Sequence, residues 1–196
     1  MDEDRLRRYK EKRDFGRTAE PSGGLGPSGG RRFVIQKHDA TSLHYDFRLE
    51  VDGVLRSWAV PKGLSTDPRD KRLAMPTEDH PMDYIDFEGV IPKGQYGGGP
   101  VIVWDTGTFE NTTTRKGETI NIADALDAGH ATVWLEGQKV TGGYAITRVA
   151  KGKGERWLVV KMRDEAADAR RNPVGTQPES VLSGRTIEDL ARREPP

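Results

Sequence analysis

Residues 43–51, LHYDFRLEV, alternate without a break: Leu43, Tyr45, Phe47, Leu49 and Val51 on one side, His44, Asp46, Arg48 and Glu50 on the other. This period of two fits a pleated strand with one buried face and excludes a helix over the same segment. Asp52-Gly53 and a second strand-like run, VLRSWAV (54–60), follow directly. Asp-Gly between two such runs is a strong signal for a two-residue hairpin. The turn sets the register: Val51 faces Val54, Arg48 faces Ser57, Asp46 faces Ala59 and His44 faces Pro61, while Phe47 meets Trp58 and Tyr45 meets Val60. The polar face thus carries large functional groups on one strand and small residues opposite, which leaves room for a ligand.

Further strands are predicted at 33–36, 85–91, 100–105, 131–136, 139–149 and 156–162, with a short helix at 121–129 closed by Gly129 and a final helix at 186–193. Residues 64–84 have loop composition. With 34% apolar residues, 23 Gly and 12 Pro, a helical bundle is disfavoured. The expected fold is mainly β: a compact antiparallel barrel with short peripheral helices and a flexible N-terminal arm. Three segments are expected: an arm and Gly/Pro-rich linker at 1–30, the β-barrel domain at 31–163, and a polar tail at 164–196. Trp58, Trp104, Trp134 and Trp157 read as core rather than base-stacking platforms, His130 reads as a surface residue, and GQYGGG at 94–99 reads as a turn.

Lys+Arg and Asp+Glu both total 31. The sum conceals a layout: 10 basic and 7 acidic residues over 1–40 (net +3), 7 and 12 over 41–110 (net −5), and 14 and 12 over 111–196 (net +2). Such a chain does not coat nucleic acid through bulk charge, and its acidic centre can hold a cation. No apolar run approaches the roughly 20 residues of a membrane span, and the charged amino terminus lacks a signal-peptide h-region. With no cysteine there is no disulfide, thiolate site or Cys nucleophile, so the expected compartment is the cytoplasm. A monomer is expected, because no heptad or long amphipathic segment offers an oligomer face.

His44 and Asp46 lie at i and i+2 on one side of the pleat, about 7 Å apart along the strand, and His38 precedes His44 by six residues. Two imidazoles and a carboxylate suit a first-row metal such as Mn, Zn or Fe(II), with positions left for water or substrate. Arg48, Lys62, Arg72 and His80 nearby point to an anionic substrate, most simply a phosphate. A metal beside several cations is an arrangement for phosphoester hydrolysis. A cupin-like metal oxygenase is a rival reading that the cations disfavour. A non-catalytic nucleic-acid-binding repair module is another.

The runs FVIQKHDATSLHYDFRLEVDGVLRSWAVPKG (33–63), EDHPMDY (78–84) and EGVIPKGQYGGGPVIVWDTGTFE (88–110) resemble the phosphoesterase module of bacterial DNA ligase D, which serves non-homologous end joining. The resemblance runs from about residue 8 to 163, and SVLSGRTIEDLA resembles the segment C-terminal to the module in the multidomain ligases. It implies a stand-alone enzyme or an excised module, nucleoid-associated in the cytoplasm. The implied activity is manganese-dependent trimming of 3′ ends: a terminal ribonucleoside is removed by phosphodiester cleavage and then the 3′-phosphate is removed. By motif, His38, His44 and Asp46 would hold the metal. Arg48 and His80 would contact the scissile phosphate, His80 as general acid, and Lys62, Arg72 and Tyr84 would complete that pocket. Arg13, Asp14, Glu20 and Glu78 would place the terminal nucleoside. The implied partners are DNA or RNA 3′ ends on a primer–template, the end-joining ligase and polymerase, and Ku-like proteins.

Overall fold

The computed structural model describes residues 5–193. Three strands open it as a meander: β1 (Arg32–Asp39), β2 (Leu43–Val51) and β3 (Val54–Val60). The β2–β3 register is the one that the alternation requires, with Val51 opposite Val54, Phe47 opposite Trp58 and Asp46 opposite Ala59. Asp52 and Gly53 have φ of 50° and 79°, the two left-handed residues of a type I′ turn, whose twist matches that of the flanking strands.

The remaining large strands are β4 (Lys71–Pro81), β5 (Gly89–Ile91), β6 (Gly99–Asn111), a small hairpin of β7 (Thr114–Arg115) and β8 (Glu118–Thr119), β9 (His130–Gly137), β10 (Thr141–Ala150) and β11 (Arg156–Lys161). Of the eleven strands among the described residues, eight run in the order β1-β2-β3-β4-β11-β10-β9-β6, and β6 pairs back onto β1, so the antiparallel sheet closes into a barrel. Closure leaves no open edge between these strands. The inward side chains, among them Phe33, Phe47, Trp58, Trp104, Tyr144 and Trp157, form the main core. Trp134 lies on the outer face and is only half-buried, its Nε1 donating to Glu136, so it departs from the expected core role. The short helix α2 (Ile122–Ala128) is capped by Asn121 and ends at Gly129 in the left-handed region (φ 92°), and His130 beyond it is exposed.

Part of the segment expected to be a loop, 64–84, is β4. It hid because its two prolines and its charges break alternation, and only Ala74 reaches the core. Its hydrogen-bonding partners, β3 and β11, are far apart in sequence. The strand expected at 85–91 is instead a 3-10 turn (Met82–Asp86) followed by the short β5.

Composition predicted a flexible arm and linker over residues 1–30; from Arg5 onward the chain is instead held against the barrel. Outward side chains of β1, β3 and β6 (Val34, Leu55, Val103) form a second apolar cluster with Tyr84 and Ile85, and Tyr9 from helix α1 (Arg7–Glu11) closes it. The Tyr9 hydroxyl donates to the Pro21 carbonyl, and Gly26 N–H donates to the hairpin carbonyl of Gly53 at 2.8 Å. The tail is likewise packed. Trp104 Nε1 donates to Gln177 O at 2.7 Å, and helix α4 (Ile187–Arg193), which comes after the single turn α3 (Pro173–Thr176), buries Ile187 and Leu190 against Ile102. No helix among the described residues is long and apolar enough to cross a membrane.

Candidate active site

The outer faces of β1 and β2 build the site. Cross-strand pairing puts His38 opposite His44, Gln36 opposite Asp46 and Val34 opposite Arg48. The five residues between the two histidines are therefore the end of one strand, a tight connection and the start of the next. His38 belongs to β1 itself rather than to a loop beyond it. The imidazole centroids are 4.9 Å apart. His38 Nδ1 lies 3.4 Å and His44 Nε2 3.3 Å from the same carboxylate oxygen of Asp46.

The far nitrogen of each ring is already committed. His38 Nε2 is 2.6 Å from the Gly97 carbonyl and His44 Nδ1 is 3.0 Å from the Ser42 carbonyl. A carbonyl oxygen only accepts, so each of these nitrogens carries its proton. In the neutral rings the lone pairs of His38 Nδ1 and His44 Nε2 then face a carboxylate. Three electron-pair donors aimed at one point repel one another unless a cation lies between them. The backbone carbonyls fix tautomer and ring orientation, as second partners of metal-ligating histidines do. His38, His44 and Asp46 can bring their ligand atoms within 4.8 Å of one another. Burial opposes ionisation of Asp46, yet the Arg48 guanidinium beside it outweighs burial and holds the carboxyl well below the usual carboxylate range. The donor set therefore fits a divalent first-row ion.

Beside the trio lies a cationic floor. Arg48 is buried; its Nε donates to Gln36 Oε1 at 2.8 Å, and one terminal nitrogen lies 3.4 Å from Asp46. Gln36 is itself held by the carbonyls of Tyr84 and Phe87. Arg13, from the arm, stacks on Tyr9 (3.9 Å) and donates to Glu20 at 2.9 Å, Tyr9 O at 3.0 Å and Glu78 at 3.3 Å. Between the two guanidinium groups stands His80. Its Nδ1 is 2.8 Å from the carbonyl of Glu78, two residues back, and 3.2 Å from a terminal nitrogen of Arg48, and its Nε2 is 3.4 Å from Arg13. The shorter contact, to a carbonyl that only accepts, puts the proton on Nδ1 and leaves a lone pair on Nε2. Burial and then the charges of Arg48 and Arg13 push the His80 pKa well below the ordinary imidazole value, so it is neutral at pH 7. The expectation of His80 as a general acid is narrowed accordingly: the ring can carry an acidic proton only once an anion offsets the two arginines.

Tyr84 packs its edge against His80 at 4.7 Å, and its hydroxyl donates to Glu20 at 2.8 Å. Burial, then Glu20, raises its pKa well above the ordinary phenol value. Burial resists ionisation of Glu78, but its own backbone N–H and the cations Lys12 and Arg13 keep it below the usual range. These groups open onto a cavity of about 390 Å³. A larger cavity, about 760 Å³, carries none of His38, His44 and Asp46; there Arg5, Arg56 and Arg148 are paired with Asp79, Asp127 and Glu155.

Of the expected site residues, His38, His44, Asp46, Arg48, His80, Tyr84, Arg13, Glu20 and Glu78 are brought together; three are not. Lys62 is exposed in the turn closed by the Gly63 N–H to Val60 O bond, past the end of the β2–β3 ladder. Asp14 is exposed and caps the Gly16 N–H. Arg72 is on the wrong face. A bulge in β4 between the Leu55–His80 and Ser57–Thr77 pairs inserts one extra residue, which reverses the phase of the strand. His80 therefore faces outward, whereas Arg72 shares the inward face of Ala74 and pairs with Asp70 at 3.6 Å. Residues that the sequence did not single out are Gln36, Lys12, Thr77, Tyr96 and the Gly97 carbonyl. Only Gln36 carried a signal, as a polar residue two before His38 on an otherwise apolar strand.

Residues 36–148 match the family model described as the DNA ligase D 3′-phosphoesterase domain. The chain is 46% identical over 188 residues to the multifunctional non-homologous end joining protein LigD of Pseudomonas aeruginosa, an alignment covering 93% of this chain and 22% of that protein. It is 44% identical over 164 residues to the multifunctional non-homologous end joining DNA repair protein LigD of Mycobacterium tuberculosis, covering 83% of this chain and 20% of that protein. The same identity and span are found with LigD of Mycolicibacterium smegmatis, covering 21% of that protein. The chain thus spans about a fifth of the length of these curated relatives.

Proposed function

The chain belongs to the family of DNA ligase D 3′-phosphoesterase domains, and we propose that it hydrolyses phosphate esters at the 3′ ends of nucleic-acid strands to prepare them for end joining. In this reading a 3′-terminal ribonucleoside is released first by diester cleavage, and the remaining 3′-phosphate is then removed. The carrying observation is the convergence of the His38 and His44 lone pairs on the Asp46 carboxylate, next to two buried guanidinium groups. His38, His44 and Asp46 would hold Mn²⁺ or a similar ion, which when bound supplies Lewis-acid polarisation of a phosphoryl oxygen.

The chain's own groups supply the remainder. Arg48, locked by Gln36, presents its remaining N–H donors to a phosphate without having to reorganise. Arg13 does the same from the opposite side of His80. An anion between them offsets the charges that keep His80 neutral, so the bound state favours a proton on Nε2, where it can be passed to a departing oxygen. Glu20 and Glu78 hold Arg13 in place and offer acceptors for ribose hydroxyls. Tyr84, bonded to Glu20, braces the same wall.

The test is incubation of the protein and Mn²⁺ with a primer–template ending in a 3′-ribonucleotide and with one ending in a 3′-phosphate. The expected products are a strand shortened by one nucleoside and a 3′-hydroxyl end, with loss of both in His44→Ala and in excess EDTA. Glu20→Ala should slow diester cleavage more than monoester cleavage. Full activity in EDTA would refute the metal assignment.

A further inference from the structure

Tyr96 is a large aromatic side chain left 47% exposed, at the mouth of the cavity that holds the metal trio. It is carried by the loop between β5 and β6, and the next residue, Gly97, supplies the carbonyl that orients His38. Gly97 has φ 72°, and a Cβ there would lie 3.2 Å from His38 Cε1. The backbone must close on the imidazole at this point, and glycine permits it.

The Tyr96 ring is positioned by cations. Lys12 Nζ lies 4.6 Å from its centroid and 3.3 Å from its hydroxyl, and the Arg13 guanidinium lies 5.4 Å from the ring. Lys12 also bonds Glu78 at 3.0 Å. One rim of the cavity therefore gathers an open aromatic ring and a carboxylate, next to the arginine–histidine floor. That pairing suits a nucleoside: a base offers a π face for stacking, and a terminal ribose offers hydroxyl donors to Glu78.

We propose that Tyr96 is the stacking platform for the base of the 3′-terminal nucleoside, a specificity-determining residue for the diester step. This rests on the reading of the site as a 3′-end phosphoesterase. Lys12 is a positioning residue for the ring, acting through Tyr96 and Glu78.

Steady-state kinetics on three strands test it: one ending in a 3′-ribonucleoside, one ending in a 3′-phosphate, and one whose terminal residue is an abasic ribose. Base–aromatic stacking lost on alanine substitution corresponds to about a 5- to 150-fold effect. Tyr96→Ala is therefore expected to raise KM for the base-bearing diester, and to lower the diester-to-monoester ratio of kcat/KM, by a factor in that range. Tyr96→Phe should restore the ratio, because it keeps the ring. The wild type should prefer the base-bearing over the abasic terminus, and Tyr96→Ala should lose that preference. An unchanged ratio in Tyr96→Ala, or a Tyr96→Phe variant as impaired as Tyr96→Ala, would overturn the platform. A wild type that cleaves neither the diester nor the monoester would overturn the phosphoesterase reading instead.

Discussion

Replacing Asp46 by Asn removes the charge on which both imidazoles converge while keeping the size of the side chain. In the wild type, an ion at 100 times its Kd stabilises the fold by about 2.7 kcal/mol. For a chain of this length that is a rise in Tm of about 5–11 °C, at roughly 2–4 °C per kcal/mol. If losing one of three ligands weakens binding about 100-fold, the same concentration stabilises by only about 0.4 kcal/mol, and the rise shrinks to about 1–2 °C. The metal-free variant is itself less stable by about 1–3 kcal/mol, because the buried Arg48 loses its carboxylate partner, so each protein is compared with its own metal-free Tm. The assay is differential scanning calorimetry with and without Mn²⁺, repeated at pH 8 and pH 6. Burial opposes protonation of His44, but Asp46 outweighs it and raises the pKa; ion binding must displace that proton, so the wild-type shift should be smaller at pH 6. A shift in Asp46→Asn equal to that of the wild type would place the ion elsewhere and overturn the assignment of Asp46 as a ligand.

Other perturbations read other parts of the molecule. His80 stays neutral in the fold, whereas the unfolded chain protonates it near pH 6.5. Stability should therefore fall as pH drops below about 6.5, by up to about 1.4 kcal/mol per pH unit for this proton; denaturant titrations between pH 6.5 and 5 should show a shallower slope in His80→Gln. Arg48→Lys keeps the charge but loses the Nε bond to Gln36 and the planar fork. A loss of about 10- to 150-fold in kcat/KM on both substrates is expected, from the 1.5–3 kcal/mol of a charged hydrogen bond. Asp105 is fully buried and accepts from the backbone N–H groups of Thr106, Gln138, Lys139 and Val140. Asp105→Ala leaves these donors unsatisfied and should cost about 2–4 kcal/mol, seen as a Tm lower by about 4–16 °C.

The β2–β3 hairpin was legible because three local signals agree: alternation, a turn that accepts two positive φ values, and aromatic residues on one side only. The candidate metal trio was legible for the same reason, since strand parity puts His44 and Asp46 on one face whatever the remainder of the fold does. The proposed phosphate pocket was legible only in part. Arg48 follows from parity, but Arg72 was assigned to the pocket and lies on the opposite face, because one extra residue in β4 reverses its phase. Nothing local marks that bulge. It forms because β3 and β4 must pair on both sides of it. The arm offers the same lesson: its charged first residues and the Gly/Pro-rich run after them read as a flexible arm and linker, yet Tyr9 fills an apolar hollow on the outside of the barrel that no sequence window contains.

Alone, the sequence determined which side chains share a strand face, because the two-residue period of a β-strand is a property of the backbone. With that it determined the shared face of His44 and Asp46 and the acidic centre of a chain of zero net charge. Tertiary structure decided what surrounds that chemistry. Barrel closure brings Arg13, Glu20 and Glu78 from distant segments to His80, and the loop after β5 lends Gly97 to His38 and Tyr96 to the rim. These are long-range contacts, formed only when separate apolar surfaces are buried together, and burial is a property of the whole chain rather than of any stretch of it.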